Sequence, residues 1–302
     1  MACRGTKLDR TETLLRGLPQ SARVIEIGPS INPLVPKRDG WNAFTIDHAS
    51  RADLVAKYAG NPGVDTQRIE EVDFVWTGGS IADAVPVEQH GTFDAFIASH
   101  VIEHTTDVVA FLNAAETLIR ADGVVILAVP DKRKCFDQFR QVSTTADAID
   151  AHLDQRSRHT RRTYLDFGAL AANKEGAPGW RISDERTPTF DGPVSRALEM
   201  AAAVGADQYI DAHAWVFVPA SFELMILELA QLGFLDLTVE QTAEADATEF
   251  YAWLRRGSEP MGTSTLQARR LHLNQRLIVE LAEQSRQVPG SPLNRAITQP
   301  GA

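Results

Sequence analysis

Along the first 130 residues, short apolar runs alternate with stretches of helical spacing. RVIEIG at 23–28 is a brief apolar run closed by glycine, which predicts a buried strand entering a turn. AFTID at 43–47 predicts a second strand. The next segment, ASRADLVAKYAG, predicts a helix with Ser50 as N-cap and Gly60 as stop. IEEVDFVW at 69–76 predicts a third strand, after which Thr77, Gly78 and Gly79 turn the chain. FDAFIAS at 93–99 predicts a fourth. TDVVAFLNAAETLIRADG carries apolar residues at helical spacing and predicts a helix ended by Gly123. VVILAVP at 124–130 predicts a fifth strand. Strands and helices alternating at this pitch imply a parallel sheet covered on both faces.

The alternation then breaks. Residues 136–213 are polar, rich in Arg, His and Asp, and poor in strand signals. Periodicity resumes at SFELMILELAQLGF, 221–234, an amphipathic helix. LDLTVEQT (235–242) and TEFYAWLR (248–255) read as strands whose short separation predicts an antiparallel hairpin. A last helix is expected over about 264–286, with Leu266, Leu273, Leu277 and Leu281 on one side. The tail from 288 is expected to be disordered. No internal repeat is visible.

Composition narrows the class. A chain of 302 residues holds one large domain, or a domain with a cap. A net charge of -10 argues against a nucleic-acid partner, whose backbone needs a basic footprint. No apolar run approaches the roughly 20 residues of a membrane span, and MACRGTKLDR lacks the apolar core of a signal peptide. Cys3 and Cys135 make no disulfide framework. A cytoplasmic enzyme with neither membrane nor nucleic-acid partner is expected.

In an open α/β sheet, ligands bind beyond the carboxyl ends of the strands, and unusual residues stand at several of those ends. Glu26-Ile27-Gly28-Pro29-Ser30 follows the first strand, with a glycine that lets backbone approach a ligand. Asp47-His48 follows the second, an acid placed to accept ribose hydroxyl protons. Ser99-His100-Val101-Ile102-Glu103-His104 follows the fourth and Pro130-Asp131-Lys132-Arg133 the fifth. Each alone has a bland explanation in a tight turn or a solvated loop; the ordered set is what carries weight.

That set resembles the class I S-adenosylmethionine-dependent methyltransferases. EIGPSINP is similar to their first motif and TIDH to their acidic second motif. FDAFIASHVIEHTTDVVAFLNAAETLIRADGVVILAVPDKR resembles the stretch spanning their fourth and fifth strands. The subgroup most similar is associated with polysaccharide and secondary-metabolite biosynthesis. The resemblance covers about 22–135 and resumes at 214–255, where a helix and hairpin resemble the family's final α–β–β unit. It implies a doubly wound, Rossmann-like α/β sheet, mostly parallel with a terminal antiparallel hairpin, plus an inserted cap. On this reading 1–135 is the cofactor-binding core, 136–213 the cap and acceptor region, 214–256 the end of the core, and 257–302 a C-terminal helix and tail. The glycine-rich loop departs from the family in having Gly28 alone, followed by Pro29, Ser30 and Pro33. The resemblance places Glu26, Gly28, Pro29 and Ser30 at the methionyl portion of S-adenosylmethionine. It places Asp47 and His48 at the ribose, Trp76, Gly78 and Ser80 around the adenine, and Ser99 and His100 near the sulfonium.

Methyl transfer from a sulfonium is driven largely by alignment, with a general base useful for a hydroxyl or ammonium acceptor. His104 is the first candidate base, with His100 and His213 as alternatives; a backbone-bonding role at a helix start is the plainer explanation for His104. The basic run Gln155-Arg156-Ser157-Arg158-His159-Thr160-Arg161-Arg162 can bind an anionic acceptor or pair with local acids. Asp211, His213 and Trp215 alternate along an extended segment and could join His100 and His104 around a metal. No close ligand pair of CxxC or HExxH type supports that, so no metal is expected. The acceptor is expected to be a small molecule, and the leucine seam of the last helix could make a homodimer. Two rivals stand beside this reading. A nicotinamide-dependent oxidoreductase would want GxGxxG after the first strand, which is missing. A methyltransferase-like partner subunit without activity would share every feature of the fold.

Overall fold

The structure is a computed structural model that describes residues 9–202 and 210–285. Its elements in chain order are α1 (Arg10–Leu14), β1 (Val24–Ile27), β2 (Ala43–Asp47), α2 (Arg51–Tyr58), β3 (Phe74–Val75), β4 (Phe93–Ser99), α3 (Val108–Leu118) and β5 (Ile119–Pro130). There follow α4 (Thr145–Leu153), α5 (Arg161–Leu170), β6 (Ala172–Asn173), β7 (Thr189–Phe190), α6 (Ser195–Ala202), α7 (Pro219–Gln231), β8 (Leu237–Glu244), β9 (Glu249–Arg256) and α8 (Thr263–Ser285).

Seven strands form one sheet in the order β3-β2-β1-β4-β5-β9-β8. β3 through β5 pair in parallel, while β9 runs antiparallel to both β5 and β8. This is the doubly wound sheet with a terminal antiparallel hairpin that the resemblance implies. Strand alternation divides the core in two. Ile25, Phe96, Val125, Leu127, Phe250 and Leu254 face α3 and α7, whose Leu112, Ala115, Phe222 and Ile226 complete that cluster. Val24, Ala95, Ile97, Ile126, Tyr251 and Trp253 face the other way, against Leu14 of α1 and the Leu34–Val35 loop. Each large apolar side chain so buried contributes on the order of 1.5–3 kcal/mol.

Ser50 caps α2 by accepting from the Asp53 N–H, as expected, and Gly60 follows that helix with a left-handed φ. Two boundaries differ from the sequence reading. The third strand is only Phe74–Val75, because Ile69 caps the preceding 3-10 turn (Thr66–Arg68) and Asp73 spends its side chain on the Lys37 ammonium and the Thr45 N–H. α3 ends at Leu118, and Gly123 is not its stop. The chain turns extended at Ile119, which pairs with Phe93, so β5 begins five residues before Val124 with an irregularity in register. Gly123 serves that irregularity: a Cβ there would lie 2.8 Å from the Ile119 Cβ and 3.1 Å from the Phe93 carbonyl oxygen.

Within 136–213 the structure places α4, α5, the small β6–β7 hairpin and α6. α8 packs on α7, with Leu273 buried and Leu266, Leu277 and Leu281 half-buried. Among the described residues, no helix is long and apolar enough to cross a membrane. The tail from 288, and Cys3, lie outside the described residues; Cys135 is buried and unpaired as a thiol.

Candidate functional site

The carboxyl ends of β1 and β4 open onto a cleft of about 920 Å³. Gly28 leaves β1 with φ +63°, and a Cβ on it would meet the Val101 methyl at 3.3 Å. Two non-glycine residues beside it, Ser30 (φ 49°) and His100 (φ 54°), also take left-handed backbone, at a cost of order 1–3 kcal/mol each. His100 is held there by its N–H donating to the Ala128 carbonyl.

Glu26 lines the floor of this cleft but is 3% exposed. Its carboxylate accepts the Leu34 and Val35 N–H groups at 2.9–3.3 Å, tying down the loop that replaces a longer glycine-rich turn. Burial raises its carboxyl to about 7 against those two bonds. Asp47, also buried, ends β2 beside Trp76, whose N–H donates to the Asp47 carbonyl. Oδ1 of Asp47 takes the His48 N–H and lies 2.6 Å from the His48 ring. Trp76 is half-buried and donates from Nε1 to the Gly79 carbonyl across the turn holding Gly78, and Ser80 caps the next short helix. Gly28, Asp47 and Trp76 thus stand at the ends of adjacent strands.

At the β4 end the structure adds residues the pattern did not reveal. Glu249, the first residue of β9, accepts from Arg10 at 2.7 and 2.9 Å and lies 2.7 Å from His100 Nε2. Arg10 also donates to the Ser99 hydroxyl. Burial would lift the Glu249 carboxyl, but the hydrogen bonds from His100 and Arg10 overcome it and hold it near 2. Nothing in the sequence marks Arg10 or Glu249, which are 239 positions apart.

A second cluster lies deeper. Glu103 is 1% exposed, and neither of its side-chain oxygens accepts a hydrogen bond among the described residues. Three imidazole nitrogens surround its Oε1: His100 Nδ1 and His104 Nε2 at 3.6 Å and His213 Nε2 at 3.9 Å. The region after β5 delivers His213. Its neighbours Ala214 and Trp215 donate to the Glu103 carbonyl, and the Trp215 indole donates to the Thr105 carbonyl. Asp137 lies 2.5 Å from His213 Nδ1 and accepts from Arg140, and Asp211 lies 2.8 Å from His104 Nδ1. Burial opposes the charged form of His104, yet Asp211 and the Glu103 charge raise its pKa. His159 is buried close by and is pushed down to about 4, mainly by that burial. His100, His104 and His213, named from sequence as alternative bases, are therefore parts of one assembly.

The residues after β5 have a different use. Asp131, Lys132, Arg133 and Lys134 are all buried. Arg133 forks onto Asp131 and reaches Glu244 and Glu283, and Lys134 donates to the Ala245 and Glu249 carbonyls. They fasten the hairpin and α8 to β5. In the basic run, Arg156 is engaged by Asp150 and Asp154 and Arg162 lies 3.5 Å from Asp166, the pairing with local acids foreseen as one option.

No protein-family model matches the chain, and no curated protein matches it significantly. Solved structures are similar to it at low identity. A Rhodobacter sphaeroides protein named as a Zn-dependent alcohol dehydrogenase is 15% identical, with a TM-score of 0.44 over 83% of this chain and 91% of its own. The CcbJ methyltransferase from Streptomyces caelestis is 10% identical, with a TM-score of 0.41 over 82% and 94%. An S-adenosylmethionine-dependent methyltransferase from Mesorhizobium loti is 12% identical, with a TM-score of 0.40 over 82% and 98%. Likenesses this distant carry no argument about activity. The strand order, with antiparallel β9 inserted between β5 and β8, rests on this chain alone. It is a doubly wound, Rossmann-like α/β sheet with a terminal antiparallel hairpin.

Proposed function

We propose that the protein transfers a methyl group from S-adenosylmethionine to a small-molecule acceptor. One observation carries the reading: the cleft at the ends of β1 and β4, with left-handed Gly28 at its edge and Asp47 closing the neighbouring strand, on a sheet of this order. In this reading the methionyl portion lies along Gly28, Pro29 and Ser30. The ribose hydroxyls meet Asp47, the adenine packs by Trp76, and the sulfonium points toward Ser99 and His100.

Transfer forms a bond from the acceptor's nucleophilic atom to the methyl carbon and breaks the carbon–sulfur bond, leaving its electron pair on sulfur. Alignment of the three atoms supplies most of the acceleration. A hydroxyl or ammonium acceptor must also lose a proton, and the imidazoles beyond Ser99 receive it. Glu249 on Nε2 of His100 fixes the proton there and leaves the Nδ1 lone pair turned inward, which fits His100 as the acceptor of that proton. Residues 136–213 then shape the acceptor side, through Asp137, Asp211 and His213. Titration calorimetry with S-adenosylhomocysteine and NAD tests the reading. Binding of the first and not the second is expected, and the reverse would make the protein a nicotinamide enzyme.

A further inference from the structure

Around Glu103 the polarity of the groups is at odds with an empty space. Asp211 and Asp137 sit on the Nδ1 atoms of His104 and His213, which fixes the protons on their far sides. In the neutral imidazoles the near Nε2 atoms therefore carry the lone pairs and face a buried carboxylate that accepts no hydrogen bond among the described residues. The separations, 3.6 and 3.9 Å, are too long for hydrogen bonds. They are close to what a shared ion imposes: two ligands each about 2.1 Å from a tetrahedral cation lie about 3.4 Å apart. One ligand atom from each of Glu103, His104 and His213 falls within 4.8 Å of the others. A buried, unpartnered carboxylate costs several kcal/mol, and carboxylates behind metal-bound imidazoles are the usual means of fixing their tautomer.

We propose that Glu103, His104 and His213 bind a divalent transition-metal ion of the zinc kind, with Asp211 and Asp137 orienting the two imidazoles. Two histidines and one carboxylate leave open coordination positions, as in catalytic rather than structural sites. The site adjoins the cleft through His100, whose Nδ1 lies 3.6 Å from the same Glu103 oxygen and whose Nε2 lies on Glu249. Its role, though not its existence, rests on the methyl-transfer reading. The ion would take an acceptor oxygen into an open position, lower its pKa and aim it at the methyl group.

The test is titration of the tag-free, chelator-treated full chain with cobalt(II), followed by competition with zinc(II). One equivalent of cobalt per chain with visible d–d absorption is expected. Glu103→Gln and His213→Ala should each weaken binding about 100-fold or more. Asp211→Asn should weaken it roughly 10–100-fold. His272→Ala, on the exposed face of α8, should change nothing. Folding of each variant is read by circular dichroism. Absence of stoichiometric cobalt binding to the wild type overturns the site, as does full binding by folded Glu103→Gln. Affinity for S-adenosylhomocysteine, measured in parallel, separates the two readings. Cobalt without cofactor leaves the metal site standing and removes the methyltransferase, and cofactor without cobalt does the converse.

Discussion

The two halves of the sheet's carboxyl edge are built by different means. At β1, β2 and β3 the surface is made by backbone: left-handed Gly28 and Ser30, the Gly78–Gly79 turn, and one buried acid on each of two strands, Glu26 and Asp47. At β4, β5 and β9 it is made by buried charge. Arg10 and Glu249, the Asp131–Arg133 fork with Glu244, and the Glu103 cluster with Asp211 all lie there, and each draws in a partner over a hundred residues away. A half made of backbone suits a ligand of fixed shape. A half made of charged side chains drawn from α1, the 136–213 region and β9 can be retuned one residue at a time, which suits an acceptor that differs from enzyme to enzyme.

The comparison predicts that the charged half is the more fragile. Asp131 is fully buried and holds the guanidinium of Arg133, itself 1% exposed, through two oxygens. Removing one member of a buried pair leaves an uncompensated charge, at roughly 3–5 kcal/mol. Asp131→Asn should lower the stability measured by urea unfolding by that amount. A loss under about 1 kcal/mol would mean that Glu244 and Glu283 alone satisfy Arg133, and that the fork is not what fastens β5 to the hairpin.

Asp47→Ala tests the other half. It removes an acceptor of charge-assisted bonds worth about 1.5–3 kcal/mol. Affinity for S-adenosylhomocysteine should fall roughly 10–100-fold, while cobalt binding at Glu103 stays as in the wild type. Unchanged cofactor affinity would take Asp47 out of the ribose site. Loss of both ligands together would erase the distinction between the halves.

The same division explains what the sequence pattern could disclose. β1, β2 and β4 are legible because each is a short apolar run ended by a turn residue, and Gly28, Asp47 and His100 follow them directly. Ser50 is legible because an N-cap is a local bond. Gly123 misleads because a glycine beyond a helical run has two uses, and only the close approach of the Phe93 carbonyl decides between them. Arg10, Glu249 and Asp137 are illegible because no local pattern connects residues that meet only after the sheet closes, and Asp211 shows only as one of an alternating trio with His213 and Trp215, its place behind His104 being tertiary. His100, His104 and His213 were visible as candidates for one job. Their arrangement around Glu103, itself seen only as a neighbour of His104, is tertiary.

Two carboxylates, one from each half, should give the stability–pH profile slopes of opposite sign. Burial raises Glu26 from 4.5 to about 7 in the folded chain. Between those values the native state keeps a proton that the unfolded chain has lost, so stability falls as pH rises through that window. Glu249 moves the other way: burial is outweighed by His100 and Arg10, and its carboxyl drops from 4.5 to about 2. Its contribution is complete above about 4.5 and is lost as pH falls toward 2. Each effect is of order 1–3 kcal/mol. Urea unfolding across these windows should therefore show Glu26→Gln gaining on the wild type as pH rises from about 4.5 to 7, since glutamine offers the Leu34 and Val35 amides an acceptor without a charge to bury. Glu249→Gln should be less stable than the wild type at neutral pH and draw level with it in acid. If Glu26→Gln runs parallel to the wild type from pH 4.5 to 7, the Glu26 carboxylate is ionised throughout and the two amides fully stabilise its charge. The backbone-built half would then hold a buried charge as firmly as Glu249 holds its own, and the contrast between the halves would rest on chain separation alone.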